Sequence, residues 1–157
     1  MSTRVFTTFN LDDQLFGLDI HFVREINRHL DLSPVPHAPQ YIRGLINLRG
    51  QIVTVMDLKR RLGFESSGLT EQTHNLIIKT NAERGHYEEE EEDCLIPDKL
   101  GLLVDDIGDI VSVESDQILP PPANAGKIDG AYVTGVVRLK DSLLTILSMP
   151  CILKGAN

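Results

Sequence analysis

The chain has 157 residues, of which 41% are apolar, so it is long enough for one domain with a hydrophobic core. Its net charge is −8, but outside the acidic run Glu88–Asp93 it carries 15 basic and 17 acidic groups. Such a nearly neutral body excludes binding to nucleic-acid phosphates, which need clustered Lys and Arg. No stretch approaches the roughly 18 apolar residues of a membrane span, and the first residues lack the apolar segment of a signal peptide. We therefore expect a cytoplasmic protein without direct membrane insertion, with Cys94 and Cys151 as reduced thiols.

Short runs rich in β-forming residues begin at the N-terminus. Residues 5–11 predict a first strand, and residues 14–20 predict a strand that returns alongside it. The next segment, residues 21–30, is ambiguous, because its apolar residues have helical spacing although it is short and has no clear caps.

The stretch Pro34–Leu58 predicts a hairpin. Three prolines hold its beginning extended, and two Ile- and Val-rich runs follow, Leu45–Leu48 and Ile52–Met56. Arg49 and Gly50 separate the runs, so we expect a charged side chain at the tip of a rigid hairpin.

The rest of the chain continues the β pattern. A helical turn closed by Gly63 is followed by predicted strands at residues 76–79 and 100–104 and by a further pair of β runs within residues 130–146. Between the first two strands, residues 81–99 carry a dense block of like charges, which predicts a solvated loop.

An internal repeat relates two parts of the chain. YIRGLINLRGQIVTV aligns with YVTGVVRLKDSLLTI, and upstream FGLDIHFVREI aligns with LGLLVDDIGDI. Matched pairs include Tyr41/Tyr132, Gly44/Gly135 and Arg49/Lys140. The second copy contains Gly108 inside the ambiguous segment, where glycine would cost a helix about 1 kcal/mol. Both copies therefore predict a strand, a tight turn and a second strand.

We expect an all-β protein with two small five-stranded SH3-like β-barrels, which arise from the duplication and pack around a shared hydrophobic core. Residues 1–157 form a single domain in this prediction. The first subdomain spans about residues 14–80 and the second about residues 100–146. The N-terminal strand 5–11 completes one barrel, and residues 81–99 form the acidic loop.

Motifs for catalysis are absent from the sequence, which contains no Gly-rich phosphate loop, GxSxG, HExxH or CxxC. Asp105, Asp106 and Asp109 could ligate Mg²⁺, so a small metal-dependent enzyme is an alternative. These residues fall at a turn of the second repeat, where Asp is common, and the first repeat lacks the set. We predict no catalytic residue, no metal and no cofactor.

Strand alternation turns Leu45, Asn47 and Arg49 outward from the predicted hairpin. A mixed apolar and polar patch with an arginine suits recognition of carboxylates or carbonyls on a protein partner. Val23 and Glu25 alternate with their neighbours in the same way, so a second patch is expected there. The alternative is that all five are ordinary solvated residues of a barrel.

The runs FGLDIHFVREI, PVPHAPQYIRGLINLRGQIVTVMDLKRRLG and GLLVDDIGDIVSV resemble the CheW family of bacterial chemotaxis coupling proteins, over about residues 6–153. The resemblance implies two five-stranded SH3-like barrels around a shared core, in agreement with the duplication. It also implies a non-enzymatic adaptor that couples the cytoplasmic tips of methyl-accepting chemoreceptors to the regulatory domain of the histidine kinase CheA. Such an adaptor would work in the cytoplasm, at the membrane-associated receptor array.

The resemblance also implies which residues bind receptor or kinase. They are Asn47, Arg49 and Gly50 in the NLRG motif and Val23 and Glu25 in the VREI motif, with Leu45 added from its outward position. Three glycines of the matching motifs are implied to serve the backbone rather than a partner: Gly44, Gly101 and Gly135.

Three features depart from the family pattern, and the smallest of them is Thr54, which stands where many relatives have proline. Family members join the strands that match residues 76–79 and 100–104 by a short hairpin, whereas a long acidic insert lies between them here. Pro150 interrupts the tail, so we expect the terminal helix of the family to be short or missing. The insert could tune or obstruct one docking surface, or it could have no effect on docking. The three departures leave an adaptor of a receptor–kinase pathway outside chemotaxis as an alternative.

Overall fold

The computed structural model describes residues 2–65, 68–80, 99–121, 124–125 and 128–153. The predicted acidic loop, apart from Lys99, and Cys94 lie outside these residues. The strands are β1 Thr3–Leu11, β2 Gln14–Asp19, β3 Val23–Asn27, β4 Ile42–Leu48, β5 Gln51–Asp57, β6 His74–Ile78, β7 Leu100–Val104, β8 Asp106–Glu114, β9 Asn124–Ala125, β10 Ile128–Asp129, β11 Val133–Arg138 and β12 Leu143–Leu147. Among the described residues, two short α-helices accompany them, α1 Leu58–Leu62 and α2 Met149–Leu153.

Ten of these strands form two five-stranded sheets. Sheet A has the order β11-β12-β2-β1-β8, and sheet B has the order β3-β6-β7-β5-β4. The prediction of an all-β protein with two five-stranded units is therefore confirmed. Within the described residues neither sheet closes on itself, so the SH3-like barrels stay a prediction.

The chain crosses between the sheets at two tight turns. The ambiguous segment begins with a 3-10 turn, Ile20–Phe22, and continues as β3, so the strand prediction is confirmed there. This turn sends β2 into sheet A and β3 into sheet B, and the bend at Asp105 sends β7 into sheet B and β8 into sheet A.

The sheets therefore do not follow the subdomain limits drawn from the sequence. Strand β2 lies inside the range 14–80 but pairs in parallel with β12, and β7 lies inside the range 100–146 but pairs in parallel with β5. Each copy of the sequence repeat contains both strands that flank one of these turns. In the structure, the turn places those two strands in different sheets. We call sheet B with α1 the first half and sheet A with α2 the second half.

In each sheet, the segment that follows one edge strand pairs with the edge strand on the opposite side through a single antiparallel bridge. The segment after β3 pairs with β4, and the segment after β8 pairs with β11. In the first half the N–H groups of Ser33 and Leu45 each donate to the other's carbonyl at 2.8 Å, and Leu119 with Val136 forms the equivalent bridge in the second half. A Cβ at Gly44, whose φ is +149°, would lie 2.6 Å from the Ser33 carbonyl oxygen. Glycine thus permits the close approach of the two backbones, which fits the backbone role expected for it.

The two halves share one hydrophobic core. Its buried side chains come from both sheets, for example Phe9 and Phe16 from sheet A and Met56 and Leu102 from sheet B. Each large side chain buried in this way contributes about 1.5–3 kcal/mol to stability. A smaller apolar cluster also lies within each half alone. The predicted shared core is therefore confirmed, and it holds the two halves together.

Candidate functional site

The β4–β5 hairpin ends in a two-residue turn made of Arg49 and Gly50. Their φ angles are 53° and 85°. Two successive positive φ values are typical of a type I′ turn, whose twist matches that of the strands. Arginine in the left-handed region costs about 1 kcal/mol, and such a residue persists where its surroundings hold it.

Asn47 supports this turn from its own strand. Its side-chain Oδ1 accepts a hydrogen bond from the N–H of Gly50 at 2.9 Å. Asn47 is exposed and lies opposite Ile52 in the register of the two strands. Within the chain, Asn47 therefore stabilises the turn that carries Arg49.

The side chain of Arg49 folds back from the tip onto Glu25 of the edge strand β3. Its Nη2 forms a close ion pair with Glu25 Oε1, and its Nη1 lies 3.5 Å from Oε2. The forked pair joins the tip of the β4–β5 hairpin to the strand at the opposite edge of sheet B. The side chain of Arg49 is 60% exposed and that of Glu25 is 27% exposed, so the guanidinium remains accessible to a partner.

The surroundings of Glu25 favour its charged form. The hydrogen bond from Arg49 lowers the pKa of the Glu25 carboxyl, burial opposes this effect in part, and a hydrogen bond from Asn27 lowers the pKa further. Asn27 Nδ2 donates to Oε2 at 3.4 Å. The sequence reasoning did not include Asn27, although the period-2 alternation of VREIN places it on the same strand face as Glu25.

The other two expected site residues are less accessible. Val23 is half-buried and packs against the shared core. Leu45, which was expected to face outward in the open, is also half-buried, because Ser33 pairs with it. The structure therefore brings together Glu25, Asn47, Arg49 and Gly50, which we call the tip cluster.

Two of the three aspartates considered for a metal, Asp105 and Asp106, have other partners. Asp105 Oδ2 lies 3.1 Å from Lys59 Nζ, and Asp106 Oδ1 accepts a hydrogen bond from the Ile107 N–H at 2.8 Å. In the part of the chain that the structure describes, no three or more His, Cys, Asp or Glu side chains are grouped to hold a metal ion. Among the same residues, no helix has the length and apolar character needed to cross a membrane.

Comparisons with known proteins agree with one another. The model of the CheW-like domain matches residues 6–157. The chemotaxis protein CheW of Treponema pallidum is 32% identical over 144 residues, which cover 90% of this chain and 77% of that protein. The protein of the same name from Rhizobium meliloti is 30% identical over 146 residues, which cover 93% of this chain and 84% of that protein.

A solved structure shows the same fold. The crystal structure of the scaffolding protein TtCheW from Thermoanaerobacter tengcongensis matches with a TM-score of 0.80 at 27% sequence identity, over 100% of this chain and 92% of that chain. The sequence motifs, the two five-stranded sheets around one core and these similarities have a single explanation. The chain belongs to the CheW-like family and is a non-enzymatic coupling protein of the chemotaxis type.

Proposed function

We propose that this adaptor couples the cytoplasmic tips of methyl-accepting chemoreceptors to the regulatory domain of the histidine kinase CheA. It would do so in the cytoplasm, at the membrane-associated receptor array, and the tip cluster would contact one of these partners. The observation that carries the assignment of the site is the forked ion pair between Arg49 and Glu25.

The ion pair supports a binding role because it orders an accessible arginine in advance. Arginine has five N–H donors, and Glu25 occupies only part of them, so donors remain for a carboxylate or carbonyl of the partner. A side chain that is already ordered loses less entropy on binding. Arginine is also among the residues that contribute most to protein interfaces. Ile52, 60% exposed opposite Asn47, offers apolar contact area beside it.

The second half differs at the equivalent position. Lys140 and Asp109 align with Arg49 and Glu25, yet the two are not paired with each other, although both lie in described parts of the chain. The ends of the two halves therefore present different surfaces. An adaptor that bridges two unlike proteins needs such a difference.

The signal would pass through geometry rather than through a chemical step. The halves share one core, so a partner held by one half is connected through the fold to a partner held by the other. A shift of the receptor tip would then change the position of the kinase, which is a coupling between two sites.

The test is a charge reversal at the tip with a matched control. Arg49→Glu is expected to weaken binding to at least one of the two partners by about 30-fold or more, as loss of a dominant interface residue does. Lys140→Glu makes the same change at the equivalent exposed position and is expected to leave that interaction in place. If Arg49→Glu leaves the binding of receptor and kinase at full strength, the tip cluster is not the contact site.

The double variant Glu25→Arg with Arg49→Glu separates two roles of the arginine. It restores an ion pair of opposite polarity, so the turn stays ordered. If a partner contacts Arg49 directly, the double variant binds as poorly as Arg49→Glu alone. Recovered binding would assign Arg49 the role of ordering the hairpin only.

A further inference from the structure

Each copy of the internal repeat builds the same local arrangement of a tyrosine, a hairpin and a short helix. In the first half the N–H of Asp57 donates to the carbonyl of Tyr41 at 2.6 Å, and in the second half the N–H of Ser148 donates to the carbonyl of Tyr132 at 2.8 Å. The side chains of Asp57 and Ser148 then each accept a hydrogen bond from the N–H three residues on, in α1 and α2. The two tyrosines and the two helices are therefore equivalent.

Arg61 of α1 breaks this equivalence by reaching across to the second half. Its guanidinium carbon lies 5.2 Å from the ring centre of Tyr41 and 5.5 Å from that of Tyr132. Its Nη1 donates to the Tyr132 hydroxyl at 3.0 Å, and its Nε donates to the carbonyl of Ile152 at 2.7 Å. Nη2 lies 3.3 Å from the carbonyl oxygen of Cys151. One side chain thus contacts the equivalent tyrosines of both halves and the C-terminal end of α2.

Lys59, on the same helix, makes a second and independent contact with the other half. Its side chain is only 6% exposed, and its Nζ lies 2.7 Å from Asp12 Oδ1 and 3.1 Å from Asp105 Oδ2. Asp12 belongs to the turn between β1 and β2 in sheet A, and Asp105 is the residue at which the chain crosses from β7 to β8. Helix α1 therefore carries two cations that bind groups of the second half.

We propose that α1, through Arg61 and Lys59, sets the angle between the two halves and is the element that transmits movement from one partner to the other. This inference rests on the proposed function. The shared core holds the halves together, but apolar burial is non-directional. Forked hydrogen bonds to fixed carbonyls and stacking between two rings specify an orientation. Arg61 is thus a positioning residue rather than a contact residue.

Loss of Arg61 should therefore leave the affinity for each partner unchanged when that partner is measured by itself. It should reduce the effect of the receptor on the activity of the kinase. For Arg61→Ala we expect affinities for receptor and for CheA within about twofold of the parent. In the assembly of all three proteins, we expect the receptor-dependent change in kinase activity to fall by about fivefold or more. Arg60→Ala is the matched control, because this substitution removes the same charge from the same helix. The Arg60 side chain donates a hydrogen bond to Gln40 of its own half at 2.6 Å and, among the described residues, not to the second half.

The angle itself can be measured without either partner. Spin labels at the exposed residues Glu71 in the first half and Ser112 in the second report one distance, after Cys94 and Cys151 are replaced by serine. The parent and Arg60→Ala are expected to give one narrow distribution. Arg61→Ala, and the combination of Arg61→Ala with Lys59→Met, are expected to broaden or shift it.

Three outcomes are distinguishable. An unchanged distance distribution in the folded combined variant, or full receptor control of the kinase in Arg61→Ala, would overturn the inference. If Arg61→Ala does not fold, Arg61→Lys replaces it, since it keeps the cation and loses the fork, and intermediate broadening is expected. If the parent binds neither partner, the proposed function fails, while the distance measurement still decides whether α1 sets the angle.

Discussion

Replacing Arg49 by asparagine should separate the stability of the hairpin from its binding. Asparagine is the favoured residue at the first position of a type I′ turn, so Arg49→Asn relieves about 1 kcal/mol of backbone strain at φ 53°. The same change removes the ion pair with Glu25, which is worth about 0.5–1 kcal/mol because one partner is 60% exposed and the other 27%. The two effects nearly cancel, so the free energy of unfolding should change by less than about 0.5 kcal/mol.

Thermal unfolding and binding measured on the same samples check this expectation. For a chain of this length, 0.5 kcal/mol corresponds to a change in Tm of about 1–2 °C. Glu25→Ala is the comparison, because it removes the ion pair without relieving the turn and should lower Tm by about 1–4 °C. Binding of the partner that contacts the tip cluster should fall in Arg49→Asn despite its parent-like Tm. A fall in Tm of more than about 4 °C would refute the energy balance, because it would exceed the loss of the ion pair without any relief of the turn.

Two further outcomes follow. The hydrogen bond from Arg49 lowers the pKa of Glu25 below its usual 4.5, so the parent should be more stable than Glu25→Gln above that pH. This advantage should be lost as the pH falls through the lowered pKa of Glu25. Tm values of both proteins from pH 7 to pH 3 test this, and a difference that persists in acid would contradict it. Deleting Glu88–Asp93 should leave the affinities for receptor and CheA within about twofold, since the dense negative charge of this run predicts a solvated loop. A larger change in a pull-down or titration would assign the acidic run a role in docking.

Local pattern predicted most strands of the two five-stranded sheets, because these strands are short, contain many apolar residues and are bounded by turn residues. It did not predict the two-residue strands β9 and β10. The hairpin around Arg49 and Gly50 and the helical turn closed by Gly63 lie where the sequence places them. The membership of the sheets could not be predicted in the same way. It depends on which strand lies beside which in space, and the two parallel pairings, β2 with β12 and β5 with β7, join segments far apart in the chain.

For the site, too, features that depend on neighbouring residues could be predicted from the sequence, and contacts between distant residues could not. The outward position of Asn47 and Arg49 follows from alternation along one strand. The contact between Arg49 and Glu25 does not, because the residues are 24 positions apart and lie on opposite sides of sheet B in its strand order. The partial burial of Leu45 is also a distant effect, since it depends on Ser33 crossing from the connector after β3.

The duplication supplies a comparison within a single chain that separates scaffold from function. Residues that serve the fold are kept in both copies, as with Tyr41 and Tyr132, which accept equivalent hydrogen bonds. Residues that create a contact in one copy alone cannot be explained by the shared fold. Arg49 with its ion pair and Arg61 with its reach across the halves are of this second kind. Under the proposed function, Arg49 supplies a surface that differs between the halves and Arg61 supplies a contact between them, as a bridge between unlike partners requires.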